Sequence, residues 1–157
     1  MYEHLLVALD GSDAAEEVLP HVEALAEKFG STVTLVRAVV SVETLLAETA
    51  SSGPAVGDVA PPVDPTPILE AEESSATSYL GALEQRLRAR GIDVKVEHPE
   101  GDAKDVIVER AKELKVSLVL MTTHGRSGLG RIVFGSTAEA VLRHTPCPVL
   151  VVRIHEG

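Results

Sequence analysis

The densest set of chemically useful residues lies in the stretch 121–139, MTTHGRSGLGRIVFGSTAE. Gly125, Gly128 and Gly130 let the backbone approach a bulky ligand and adopt conformations closed to other residues. Gly135-Ser136 then opens a short helix, and Ser136 with Glu139 has the spacing of a capping box. A helix start offers free N–H groups and a partial positive charge, which together seat a phosphate. Arg126 and Arg131 add positive charge beside it. On spacing alone, a glycine-rich loop followed by an ordinary capped helix fits as well.

Two widespread phosphate loops are excluded. A Walker A loop requires a Gly-Lys pair, and the chain has none. The dinucleotide fingerprint fails because Gly128-Leu129-Gly130 is followed by Val133, and because only Gly11 stands after the first strand. No G-x-S-x-G elbow occurs. The six histidines and the lone Cys147 show neither H-x-x-x-H nor C-x-x-C spacing, so no metal site is read. His4, His21, His98 and His155 read as surface residues, and His144 as a complement to a helix C-terminus. Cys147, between Pro146 and Pro148, reads as a packed thiol, with a reactive one as the alternative.

A chain of alternating strands and helices must carry this segment. Residues 5–9 (LLVAL) form a short continuous apolar run, the pattern of a strand buried on both faces. Asp13 and Glu16 suggest a capping box, and the following helix, bent at Pro20, ends at Gly30. A second strand is expected over 32–40. Residues 41–67 crowd four prolines (61, 62, 65 and 67) and read as a long surface connection without a clear apolar face. A helix over 68–90 follows, with Leu69, Ala76, Leu80, Leu83 and Leu87 facing inward. Next come a strand over 92–97, a helix capped by Asp102, and a strand over 116–121. The helix from Ser136 and a last strand over 149–152 complete the series. Right-handed crossovers fold this order into a doubly wound, five-stranded parallel sheet with helices on both faces. In such sheets ligands sit beyond the carboxyl ends of the strands, where the winding reverses.

Composition agrees. Aromatic residues make up 3% of the 157, so the core is built from Val, Leu, Ile and Ala, as helix-on-sheet layers require. The length matches one domain. A net charge of −10 opposes an electrostatic grip on nucleic acid. No window approaches the roughly 20 apolar residues of a membrane span. One cysteine allows no internal disulfide, and the apolar run at 5–9 is too short for a signal segment, so a cytoplasmic protein is expected.

Gly125, nine intervening residues and Gly135-Ser136 resemble the G-x2-G-x9-G-[ST] signature of ATP-binding universal stress proteins. The opening LLVALDGSD, the strand TLVRAV, the EGD before the third helix and the closing TPCPVLVVR are similar to that family in order and spacing, over nearly the whole chain. Thr122 replaces the first glycine; a β-branched residue there suits a close pass along the nucleotide but not a positive φ.

The resemblance implies a Rossmann-like strand order 3-2-1-4-5 and an adenine-nucleotide site. Ala8 and Asp10 would line it, with the Asp10 carboxylate near ribose hydroxyls or a Mg ion on the phosphates. Asp10 before Gly11 is also an ordinary turn former. Ala38 would read the adenine edge through its backbone. Thr122, Thr123 and His124 would lead into Gly125, Arg126, Ser127 and Gly128 around the ribose and phosphates, and Ser136 and Thr137 would close on the phosphates. His124 reads equally as a structural histidine. The family also implies a homodimer through the last strand, from Val149 to Arg153.

Three functions share this framework: a regulatory stress-response protein that binds ATP with slow or no hydrolysis, an ATP-consuming enzyme, and an interaction module with a closed pocket. Retention of Gly125, Gly135 and Ser136 favours the first. The loop offers no evident water-activating base beyond Asp10 and His124, which disfavours the second.

Overall fold

The computed structural model describes residues 1–51, 64–124 and 135–154. Five strands form one parallel sheet in the order β3-β2-β1-β4-β5. The strands are β1 (His4–Ala8), β2 (Thr32–Val36), β3 (Asp93–Glu97), β4 (Leu118–His124) and β5 (Val149–Ile154). The helices are α1 (Leu19–Phe29), α2 (Val42–Ser51), α3 (Thr66–Arg88), α4 (Ala103–Glu113) and α5 (Ser136–His144). The expected doubly wound sheet and its strand order are therefore those of the structure.

β1 shows why the sequence makes this choice. Its residues alternate between two cores, because successive side chains of a strand point to opposite faces. Leu5 and Val7 join Val18, Val22, Leu80 and Leu87 on the α1/α3 face. Leu6 and Ala8 join Ile107, Ala111, Ala138 and Val141 on the α4/α5 face. Leu5, Leu6 and Val7 are wholly buried, which explains a run with no polar alternation. Glu23 of α1, only 6% exposed, is held at 2.9 Å each by Arg86 of α3 and by Arg90 in the turn just after it, tying α1 to the end of α3.

Several boundaries differ from the sequence reading, each for a local reason. Asp13 has helical backbone and makes no side-chain cap; Ala14–Val18 form a 3-10 turn instead, whose Ala15 amide donates to Ser12 Oγ at 3.2 Å. Pro20 then falls in the first turn of α1, where its missing N–H had no helical partner to lose, so it starts the α-helix rather than bending it. β2 stops at Val36, beyond which Val39 makes only an isolated bridge to Glu100. β4 runs on to His124, so Thr122 and Thr123 are strand residues paired with Val152 and Arg153.

The 41–67 connection contains α2. Ser41 accepts from the Thr44 amide through its hydroxyl at 3.2 Å and from the Leu45 amide through its carbonyl at 3.1 Å. The helix exposes Val42 and Leu46, which is why no inward apolar face was legible. The remainder of the proline-rich stretch, 52–63, lies outside the described residues. No helix among the described residues is long and apolar enough to cross a membrane.

His4 is a half-buried strand residue rather than a surface one. Its Nε2 lies 2.8 Å from Thr34 Oγ1, and its amide and carbonyl both bond Ser117 Oγ. Burial, reinforced by nearby Lys95, lowers the His4 pKa below the usual value, against smaller opposing effects of the Leu114 backbone and Glu97. The folded state thus binds the proton more weakly than the unfolded chain, whose histidine titrates near 6.5. Stability from this site is complete above that pH and declines as pH falls through it. Urea midpoints at pH 7.5 and 5.5 should separate more for the wild type than for His4→Gln, which keeps a polar partner for Thr34 without titrating. Equal separation would remove His4 as the cause.

Candidate functional site

β1 and β4 are neighbours at the centre of the sheet, yet the helices that follow them, α1 and α5, lie on opposite faces. Chains that diverge in this way open a crevice at the carboxyl ends of both strands. A cleft of about 260 Å³ occupies that position. Its walls are Ala8, Leu9 and Asp10 after β1, Met121, Thr122 and Thr123 of β4, and Gly135, Ser136, Thr137 and Ala138 at the start of α5. Ala15, Ala103 and Ile107 close the sides. Four of these residues are alanines, whose small side chains leave the space that a leucine would fill.

The β1 end is held in a defined shape. Asp10 Oδ1 accepts from the Ser12 amide at 2.8 Å and from the Ser12 hydroxyl at 2.5 Å. This is the local carboxylate-to-backbone bonding that makes Asp a turn former. Gly11 has φ +86°, a conformation that favours glycine, and a Cβ there would lie 2.8 Å from the Arg37 guanidinium, which would have to shift to make room. The Arg37 guanidinium in turn sits 5.6 Å from the centroid of the Tyr79 ring. Burial first, then the charges of Glu16 and Asp10, pushes the Tyr79 hydroxyl up to about 12. That hydroxyl is buried without a hydrogen-bond partner. The turn bearing Asp10 thus rests on a stack that reaches α3.

The α5 end presents backbone. Gly135, not Ser136, is the N-cap, in extended conformation at φ −60° and ψ 158°. The capping box expected between Ser136 and Glu139 is therefore absent: Ser136 is already the first helical residue, and Glu139 pairs with Arg143 at 2.7 Å. With glycine at the cap, no side chain among the described residues caps the first-turn N–H groups, and the start of α5 lines the cleft. Thr123, in the same lining, is 5% exposed, and its Oγ1 has no partner among the described residues. Thr122 is half-buried, and its φ is not positive, so it strains nothing.

Of the residues singled out in the sequence, the fold brings Ala8, Asp10, Thr122, Thr123, Gly135, Ser136 and Thr137 to one cleft. Ala38 is not in its wall; it lies half-buried beyond β2, packed against the α4/α5 core. His124 ends β4, while Gly125, Arg126, Ser127, Gly128, Gly130 and Arg131 lie outside the described residues. The reading missed Leu9, Ala15, Ala103, Ile107, Met121 and Ala138. For Ala103 a signal existed: Asp102 caps α4 by accepting from the Lys104 amide at 3.1 Å, and the residue after a cap turns toward the strand ends. Cys147 is a packed thiol, half-buried against the α4/α5 core, and burial pushes its pKa up. Among the described residues no group of three acidic, histidine or cysteine side chains is placed to hold a metal ion.

The whole architecture has counterparts. The chain is 29% identical over 153 residues to a universal stress protein of Methanocaldococcus jannaschii, covering 98% of this chain and 83% of that one. Its fold matches universal stress protein UspA from Lactobacillus plantarum with a TM-score of 0.72 at 25% identity, over 97% of this chain and 98% of that one. A universal stress protein solved in complex with cAMP shares the fold at a TM-score of 0.68 and 19% identity, with 98% of each chain covered. The model of the universal stress protein family matches residues 1–153, and with β1 through β4 and all but the last residue of β5 inside that match the chain belongs to the universal stress protein family.

Proposed function

We propose that this protein binds an adenine nucleotide, ATP, in the cleft between β1 and β4 and acts as a stress-response regulator rather than as a fast ATPase. The observation that carries this reading is the start of α5: a helix N-terminus with glycine at its cap, facing a cleft at the reversal point of the sheet. A phosphate suits such a seat, because the N–H groups need acceptors and the helix dipole favours negative charge. Asp10 stands at the opposite wall with Oδ1 tied to Ser12, which leaves Oδ2 for a ribose hydroxyl. The volume of about 260 Å³ lies near the lower end of small-molecule sites, enough for a nucleoside with its outer phosphates toward solvent. That a related fold is solved with cAMP supports an adenine ligand.

Ala8, Thr122, Thr123, Ser136 and Thr137 would complete the site, with Gly125, Arg126, Ser127 and Gly128 of the signature loop closing over it. His124 at the end of β4 would adjoin the ribose, and Ala38 would contribute backbone at the adenine edge. A Mg ion would ride on the phosphates, since Asp10 is the one charged side chain among the described lining residues and cannot hold a metal alone. The reading also includes a cytoplasmic protein that pairs through β5. That strand ends the sheet, so one side of it lacks a ladder partner among the described residues. Bare apolar edges invite pairing, and a two-fold contact between copies closes on itself.

Gly135→Val tests the site cleanly. A Cβ at Gly135 meets nothing within 4 Å among the described residues and the backbone there is ordinary, so the variant should fold at a cost of about 1 kcal/mol for the poorer cap. Calorimetry should show ATP binding lost; a folded variant that binds ATP as tightly would move the site elsewhere. Turnover should fall far below the enzyme median of about 10 per second, because the Asp10 carboxylate is engaged by Ser12 rather than poised on a water. A preparation that cycles several times per second and slows on Asp10→Asn would promote the enzyme reading.

The dimer has its own probe. Pro148 carbonyl accepts from the Val119 amide, and ladder alternation then turns the Leu150 amide toward β4 and the Val151 amide outward. Val151→Pro should therefore leave the sheet intact and give a monomeric mass by light scattering. A wild type already monomeric at micromolar concentration would end the dimer reading.

A further inference from the structure

Arg37 stands just beyond β2, half-buried, with its amide donating to the Glu97 carbonyl at 3.1 Å. Among the described residues its guanidinium makes no ion pair and no hydrogen bond. A guanidinium ordinarily points its N–H fork at a carboxylate. This one uses its face instead. A Cβ placed on Gly11 would be 2.8 Å from both Cζ and Nη1 and 3.2 Å from Nη2. With the carbon as near as the nitrogens, the plane of the group, not its edge, lies over Gly11. Its Cζ is also 5.6 Å from the centroid of the Tyr79 ring, within cation–π range. That ring belongs to α3 and packs against the α1/α3 core, so the guanidinium is anchored to the body of the protein.

The turn beneath it needs such support. Asp10 is exposed, and its carboxylate is fixed only by Ser12. Gly11 joins those two residues, and glycine has the widest backbone freedom of any residue. Upstream, the Leu9 amide is tied to the Val36 carbonyl at 2.9 Å; downstream, the Ala15 amide is tied to Ser12. Arg37 covers the interval between these ties.

We propose that Arg37 is a positioning residue: lying across Gly11, with the Tyr79 ring holding it there, it keeps Asp10 turned to the ribose of the bound nucleotide. This rests on the nucleotide reading and adds to it the pair of residues that sets the preference for the sugar. Without the guanidinium the turn samples other Gly11 conformations, and affinity falls with the fraction of molecules whose Asp10 is in place. The Tyr79 hydroxyl, buried and unbonded among the described residues, takes no part; the ring does.

The test is calorimetry with ATP and with dideoxy-ATP, which lacks both ribose hydroxyls. Wild type should prefer ATP. Arg37→Met keeps the length of the side chain and removes the cationic plane, whereas Tyr79→Leu removes its support. Each should bind ATP about fivefold more weakly and dideoxy-ATP unchanged, the size of a partly desolvated cation–π contact. Tyr79→Phe keeps the ring and should keep the wild-type preference, melting no lower than wild type. In an Asp10→Ala background, Arg37→Met should weaken ATP no further, because both changes remove one contact. A role in stability alone would lower the melting temperature and leave the ratio of the two affinities as in wild type, which overturns the proposal. An equal loss for both nucleotides also overturns it, as does a Tyr79→Phe that behaves like Tyr79→Leu. A wild type that binds both nucleotides alike overturns this proposal and spares the nucleotide reading; one that binds neither overturns both.

Discussion

Everything in this molecule is referenced to β1, the central strand of the sheet, hydrogen-bonded on both edges and buried on both faces. β2 pairs along one edge from His4 to Ala8, and β4 pairs along the other from Leu5 to Val7. A strand so placed can expose no polar side chain within its length, so its polar functions are displaced to the residues that follow it. Asp10, Gly11 and Ser12 are those residues. The same burial forces the chain to continue over one face after β1 and over the other after β4, because each face must be covered by helices. The cleft is what remains where those two departures part. Its existence follows from topology, and only its lining is a matter of residue choice.

That lining places the polarity of the site in the backbone. The protein carries a net charge of −10, and Asp10 is the charged residue among the described lining positions. An anion drawn here would be held by helix N–H groups and hydroxyls, in a partly enclosed space that salt screens less than an exposed lysine cluster. Glycine at the cap of α5 serves this arrangement twice. It places no capping side chain over the N–H groups, and among the described residues nothing lies within 4 Å of where its Cβ would be.

The architecture was legible because its main signal is long-lived along the chain: short apolar runs such as LLVAL, separated by helices with inward faces such as that of Leu80, Leu83 and Leu87. Helix starts were less legible. Asp13 and Ser136 both carry capping-box spacing, yet neither caps, because the neighbouring Ser12 and Gly135 already fix the entering turn. Capping boxes record what a residue can do locally, and here the strand end upstream decides what it does. The helix α2 was hidden by its exposed Val42 and Leu46, and by the prolines that follow it. At the site, residues with polar side chains were recognised, while of the four alanines only Ala8 was, through the resemblance, since a residue that contributes only room has no chemical signature. Ala38 shows the converse: a backbone role leaves no mark in the residue type, and in the fold it stands outside the cleft wall.

The stack of Gly11, Arg37 and Tyr79 carries an optical consequence. The chain has no tryptophan and two tyrosines, and these sit at opposite ends of the sheet. Tyr2 packs edge-on to Phe29 before β1, with ring centroids 5.3 Å apart, far from the cleft. Tyr79 lies under the cation that supports the Asp10 turn, with its hydroxyl shut away from solvent. Ultraviolet absorbance and emission from Tyr79 therefore sense the cationic plane beside it, while Tyr2 serves as an internal reference in the same spectrum. The native protein is in effect a self-labelled molecule, with one chromophore coupled to the turn at the mouth of the cleft and the other indifferent to it.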